Sequence, residues 1–429
     1  MVLERSRAFG LELRRRRLEA NLSLAELGRL VHYSKGQLSK VERGLKSPSP
    51  ALARLCDAQL GAGGSLAGMV PERAPAPGLL PSTHDSEVWL MHLNKDGAGS
   101  FQPLGRRQVI AAGAVSALSL GLGGGVSVSV DTGAANLIDA HQSMFHQFRR
   151  LGQATGPGAV LPSLIAQTHS LEQLAAGSGA GSRRALLVLA SRYAEYTGWM
   201  AQESGNDEAA LWWTDRAAEY AAAGHDRGLT VYALVRRALI SLFRGDVGQA
   251  VELAGHALGS DVSPRVRGLA AQHLAQSHAV GGDYTACMRA LDRARDLLAL
   301  ASEDPVAVIG TSQLTDVVSM FTGWCLYELG RPQQAAETLD RETAGIPAHA
   351  LRTRARYGVR RALAHAAAGE IDHACEVVSE LLPSVGTVHS ATIVTDLHRL
   401  SRVLGRHPRN PSVRALGPAL AGALGTAAS

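Results

Sequence analysis

Over the first seventy positions the apolar residues recur at helical spacing. Phe9 and Leu13 lie one turn apart, Leu24, Leu27, Leu30 and Val31 form a second stripe, Leu38 and Val41 a third, and Leu52, Leu55, Cys56 and Leu60 a fourth. Start and stop signals punctuate these stripes. Ser23 with Glu26 and Ser34 with Gln37 are capping boxes, in which a serine hydroxyl takes a free amide of the first turn and the longer side chain reaches back. Asn21 suits a left-handed stop, and Ser49-Pro50 is an N-cap followed by proline at the first helical position. A last short turn spans Ser65 to Val70. The pattern predicts five short helices around one small core. The second and third meet at a steep angle, and Gly28 leaves room for their close approach.

Beyond residue 131 the pattern is helix after helix. Glycines that close a helix stand at 205, 245, 282, 330 and 369, separated by 40, 37, 48 and 39 residues. Seven positions earlier come Gly198, Ala238, Ala275, Gly323 and Ala362, and five positions later Ala210, Ala250, Cys287, Ala335 and Ala374. Ala217, Ala257 and Ala294 follow at a third fixed offset. Small residues recur where paired helices cross closely, so the chain predicts helix-pair repeats stacked on their neighbours. Further helices are expected near Asn136–Leu151, Pro162–Ala176 and Ala391–Leu404.

Between these regions, residues 71–131 read as a linker. Its first part is proline-rich. VWLMHL then alternates, Asn94 to Gly97 supplies turn residues, and Phe101 to Leu104 suits a returning strand, which together suggest a small β-hairpin. Arg106-Arg107 precede 22 uncharged residues, Val109 to Val130. Length alone admits a membrane span, and the paired arginines suggest a twin-arginine export signal. Five glycines and four serines within the run weaken both, and export signals are N-terminal. An Ala-rich helix over about 106–120 leading into a glycine-rich link is the favoured reading. The sequence thus divides into residues 1–70, a linker at 71–131 and repeats at 132–429.

Charge separates the first part from the rest. The net charge is +5 over 429 residues, but residues 1–70 alone carry +6 and the remainder about −1. A basic head on a nearly neutral body is the electrostatic footprint of a phosphate-binding module. The four cysteines are scattered without a C-x-x-C pair, which suits buried thiols in a reducing compartment. The N-terminus is polar and arginine-rich, unlike a secretion signal.

The stretches FGLELRRRR, LSLAELGRLV, SKGQLSKVERG and PSPALARL resemble the lambda-repressor/Cro-type helix-turn-helix of the xenobiotic-response-element regulators. Leu24 replaces a frequent glutamine, and His32 stands where the turn usually has glycine. The resemblance implies that Lys35, Gly36, Gln37 and Lys40 face base edges in the major groove of duplex DNA. Ser23, Ser34, Ser39, Arg43 and Lys46 would then lie near the backbone, with Arg14 and Arg17 from the arginine run reaching phosphate. The spacing of the repeats resembles the tetratricopeptide repeat over about residues 182–385, with most aromatic consensus positions missing. Arg-Arg followed by an apolar run resembles a connector of actinobacterial regulators with this architecture.

The repeat register predicts a concave groove lined by Arg192, Glu195, Trp199, Gln202 and Tyr232, then by Gln272, Gln276, Trp324, Tyr327 and Arg356. Polar and aromatic groups mixed in one concavity suit a peptide or a small amphipathic ligand. No catalytic constellation, phosphate loop or cofactor motif appears, and histidines such as His141, His146, His169, His225, His256, His273 and His278 lack metal-ligand spacing, so neither an enzyme nor a metal protein is expected. The expected protein is all-α: a five-helix DNA-binding domain joined to a tetratricopeptide-like α-solenoid. It would act in the cytoplasm as a homodimeric transcription regulator, because one recognition helix reads only a half-site. Resemblance to repeat-containing quorum-sensing regulators implies a signalling peptide or small molecule as effector. A protein-interaction adaptor and a membrane-tethered sensor are the competing readings.

Overall fold

The structure, a computed structural model, describes residues 2–70, 88–93, 99–104, 132–301, 309–310 and 313–425. The apolar segment 109–130, with its competing readings, lies outside them. Among the described residues, no helix is long and apolar enough to cross a membrane.

Among the described residues the chain is all-α apart from one hairpin, and it separates into two compact units: residues 1–75 with 231–429, and residues 76–230. In the first unit, α1 (Val2–Glu19), α2 (Leu24–Leu30), α3 (Lys35–Glu42), α4 (Pro50–Gln59) and α5 (Ser65–Gly68) enclose a core of Phe9, Leu13, Leu27, Val31, Leu38, Val41, Leu52 and Cys56. Leu30 is the exception to the predicted stripe; it is exposed. Both capping boxes are closed in each direction. A cap of this kind is worth about 0.5–2 kcal/mol, which matters for helices of two turns. Asn21 and His32 both adopt positive φ, so the turn before α3 keeps left-handed geometry despite carrying histidine in place of glycine.

The same unit continues through helix pairs: α10 (Arg227–Phe243, which crosses the unit boundary) with α11 (Val247–Gly259), α12 (Pro264–Gly281) with α13 (Tyr284–Ala299), α14 (Val317–Glu328) with α15 (Pro332–Thr343), and α16 (Leu351–Ala367) with α17 (Ile371–Val388). Helix α18 (Ala391–Leu404) packs on α16, and α19 (Pro411–Gly425) on α17. The second unit holds an antiparallel hairpin of β1 (Val88–Leu93) and β2 (Gly99–Leu104), pairing Val88 with Leu104 and Leu93 with Gly99. It also holds α6 (Thr132–Ala154), α7 (Leu161–Ala176), α8 (Ala180–Glu203) and α9 (Asp207–Ala223), with α8 packed on α6, α7 and α9.

The five repeat-closing glycines all have φ between +75° and +90°. The small residues at the recurring offsets are buried: Ala210, Ala250, Cys287, Ala335 and Ala374 lie at the pair crossings. At Gly323 an added Cβ would fall 2.8 Å from the Leu339 side chain. All four cysteines are buried and reduced, and burial pushes the Cys56 thiol up to about 12.

Candidate DNA interface and its seat on the repeats

Helix α3 presents Lys35, Gly36 and Lys40 to solvent, with Ser34, Arg43 and Lys46 exposed beside them. Gly36 has nothing within 4 Å of where a Cβ would stand, so its face is open to close approach. Gln37 and Ser39 are half-buried. The Gln37 side-chain oxygen accepts from the Ser34 amide at 3.3 Å, and the Gln37 Nε2 donors remain for another partner. Pairing with adenine through both amide atoms would require releasing that cap. Ser23 is exposed, and its amide donates to Glu26 at 2.8 Å.

The arginine run divides sharply. Arg15 and Arg16 are paired with Glu12 and Glu19 on their own helix. Arg17 departs from the expected phosphate role. Its guanidinium donates through two nitrogens to the Glu42 carboxylate at 2.6 and 2.9 Å, and through a third to the Leu22 carbonyl at 2.8 Å. Both side chains are more than nine-tenths buried. The Glu42 hydrogen bond also raises the pKa of Arg17. This bidentate pair ties α1 to the C-terminal end of α3 and so fixes how the recognition helix stands on the domain. Of the four arginines, Arg14 is exposed, and among the described residues no carboxylate pairs with it.

The domain rests on the repeats along one seam. Three of the repeat-closing glycines face it. A Cβ at Gly282 would lie 2.8 Å from that of Ala67, one at Gly330 would lie 2.4 Å from the Arg54 carbonyl oxygen, and one at Gly369 would lie 2.7 Å from the His32 ring. The glycines therefore serve twice, once for the left-handed turn and once for the backbone approach of the DNA-binding domain. Arg406 stacks on Tyr33 at 4.5 Å, and Glu328 sits between Arg54 at 3.3 Å and Arg399 at 2.7 Å. Burial works against the Glu328 charge, but Arg399 and Arg54 outweigh it and hold its carboxyl below the usual range.

Beside this seam is a cavity of 760 Å³ to which both parts contribute, Gln37, Lys46 and Arg54 from one side and Gln276, Trp324 and Tyr327 from the other. Six cationic side chains line it (Lys46, Arg54, Arg360, Arg399, Arg402 and Arg406) against the carboxylates of Glu328 and Asp396. Arg360 bonds Asp396 at 3.0 Å and covers the Trp324 ring at 4.1 Å, while Trp324 stacks on Tyr327 at 5.0 Å.

The remaining groove candidates lie elsewhere. Tyr232 and Gln272 are buried between helices, and Arg356 donates to Thr392 of α18 at 2.7 Å. Arg192, Glu195, Trp199 and Gln202 belong to the other unit, on α8, where Arg192 stands over Phe145 and Trp199 packs on Tyr196. Arg360, Arg399, Arg402 and Arg406, with Glu328 and Asp396, line the cavity although the repeat register does not single them out. They lie on the helix faces turned toward the DNA-binding domain, a contact no periodicity within the repeats encodes.

Residues 1–70 thus form a helix-turn-helix domain, and helix-pair repeats follow it. Residues 8–67 match the family described as a helix-turn-helix domain. No curated protein matches the chain. Among solved structures, a Rap protein complexed with competence and sporulation factor is similar at a TM-score of 0.39 and 12% identity, over 68% of this chain and 99% of that one.

Proposed function

We propose that the protein is a sequence-specific DNA-binding transcription regulator whose repeats dimerise and sense a signal. The observation that carries the reading is the exposed face of α3, with Lys35, Gly36 and Lys40 held by two closed capping boxes and a buried Arg17–Glu42 strut. Lysine donors on a rigid helix suit guanine acceptors in the major groove, and the surrounding cations suit phosphate. The reading involves no catalysis and places the protein with the DNA in the cytoplasm.

The signal would enter the 760 Å³ cavity beside the seam. Its excess of arginine and lysine over carboxylate favours an acidic ligand, a small molecule or a peptide with carboxylate groups. A ligand held by both Lys46 and the arginines of the repeats would bind the seated arrangement better than a released one, and only such a difference can shift an equilibrium.

Genome-wide binding of the full-length chain, with and without cell extract, tests this. Discrete sites whose occupancy changes with extract are expected. Uniform, sequence-indifferent coverage would refute the regulator reading, and discrete sites insensitive to extract would refute the sensing part alone.

A further inference from the structure

Asp340 on α15, His365 on α16 and His373 on α17 come together, each offering an atom within 4.8 Å of the others. His365 Nε2 lies 3.0 Å from Asp340 Oδ1. The two imidazole rings stand edge to face at 4.5 Å. On its other nitrogen each ring meets a carboxylate: His365 Nδ1 is 2.5 Å from Glu370, and His373 Nδ1 is 3.3 Å from Glu376. For His373 the carboxylate on Nδ1 holds the proton there and leaves the Nε2 lone pair to a metal, which is the outer-shell arrangement of histidine metal sites, whereas His365 has a carboxylate on each nitrogen, so a metal entering there also displaces the proton between Nε2 and Asp340.

A cation already stands among these groups. Arg361 Nε donates to Asp340 Oδ1, and another nitrogen of the guanidinium is 3.4 Å from His373 Nε2. Both Asp340 and Arg361 also border a cavity of 340 Å³, which gives the guanidinium space to withdraw.

We propose that Asp340, His365 and His373 form a binding site for a divalent transition metal of the zinc class, with Glu370 and Glu376 orienting the histidines and Arg361 as the cation the metal displaces. Two imidazoles and one carboxylate match the preferences of Zn²⁺ and Co²⁺ rather than Mg²⁺ or Ca²⁺. Bonds of about 2.0–2.2 Å in a tetrahedron set ligand atoms about 3.4 Å apart. The His365–Asp340 pair is near that spacing. Closing the rest falls to Asp340 and His373, whose side chains are 40% and 44% exposed, while His365 is anchored at 5%. Water would complete the coordination. The turn joining the two histidines contains Gly369, on which the His32 ring of the DNA-binding domain rests.

The test uses the untagged full-length protein, stripped with chelator and titrated with Co²⁺, then with Zn²⁺ by calorimetry and Mg²⁺ as control. One equivalent of Co²⁺ with the visible band of four-coordinate cobalt is expected, displaced by Zn²⁺ and unaffected by Mg²⁺. His365→Ala should lose that equivalent, and His373→Gln, an exposed position that leaves the fold intact, should lose it too. Glu370→Gln should weaken binding by about 10–100-fold. Arg361→Ala should bind about tenfold or more tightly, since it removes a charge that repels the metal. Absence of saturable Co²⁺ binding in both the wild type and Arg361→Ala, or binding unchanged in His373→Gln, would overturn the proposal and leave His365 as a hydrogen-bonded link between Asp340 and Glu370.

Discussion

Arg14 and Arg17 sit three positions apart in one arginine run, yet they should fail in different ways. Replacing Arg17 with alanine strands the Glu42 carboxylate in a site where its side chain is only 6% exposed. Breaking a buried pair from one side costs about 3–5 kcal/mol. At about 0.05–0.15 kcal/mol per residue, seventy residues folding as one domain have only about 3.5–10 kcal/mol in total. Arg17→Ala should therefore consume much of the DNA-binding domain's stability, while Arg14→Ala should cost almost none. The measurements are hydrogen exchange at the amides of α1–α3 in the full chain and DNA affinity over a salt series. Arg17→Ala should accelerate exchange and weaken DNA binding at every salt concentration. Arg14→Ala should leave exchange alone and flatten the salt dependence by about one phosphate contact. If Arg17→Ala instead flattens the salt slope with unchanged exchange, Arg17 is a phosphate ligand and the strut argument fails.

The seam makes a second prediction. Alanine at Gly330 must adopt φ near +75° and approach the Arg54 carbonyl, so a cost above about 1–2 kcal/mol is expected, with faster exchange in α4; unchanged exchange would mean that the domain does not rest there. A third concerns pH. Burial, reinforced by Arg236, lowers the His273 pKa from 6.5 to about 4, so the folded state keeps this ring neutral where the unfolded chain takes up a proton. Its contribution is complete above about pH 6.5 and disappears as pH falls toward 4, by at most about 3 kcal/mol. Urea unfolding at several pH values should show His273→Gln losing part of that acid dependence, and an identical profile would refute it. A fourth concerns assembly: sedimentation should give a dimer that protects two half-sites about 10–10.5 base pairs apart or a multiple of that, and a monomer protecting one half-site would contradict it.

Local signals were readable where the physics is local. Ser23 with Glu26, Ser34 with Gln37, Asn21 and the five repeat glycines each constrain their own turn, and each behaves as its spacing predicts. Arg17 carried a signal that the run of arginines obscured. It lies four residues after Leu13 and eight after Phe9, on the buried face of α1, where a charge requires a partner. Helix α19 is hard to read from the sequence, because Pro418 and neighbouring glycines interrupt its period. The seam and the cavity were not legible for another reason. Gly282, Gly330 and Gly369 mark repeats along the sequence, but what occupies the space beside them comes from more than two hundred residues away. Asp340, His365 and His373 are close in sequence but stand on three successive helices, and their spacing matches no local metal motif.

In the proposed function, α3 reads DNA sequence through Lys35 and Lys40. Selection from a pool of random DNA duplexes by the full-length protein, run beside Lys35→Ala and Lys40→Ala, measures this most directly. One enriched motif is expected for the wild type, altered at defined base pairs by each substitution. Enrichment of the same motif by all three proteins, or of none by the wild type, would contradict it.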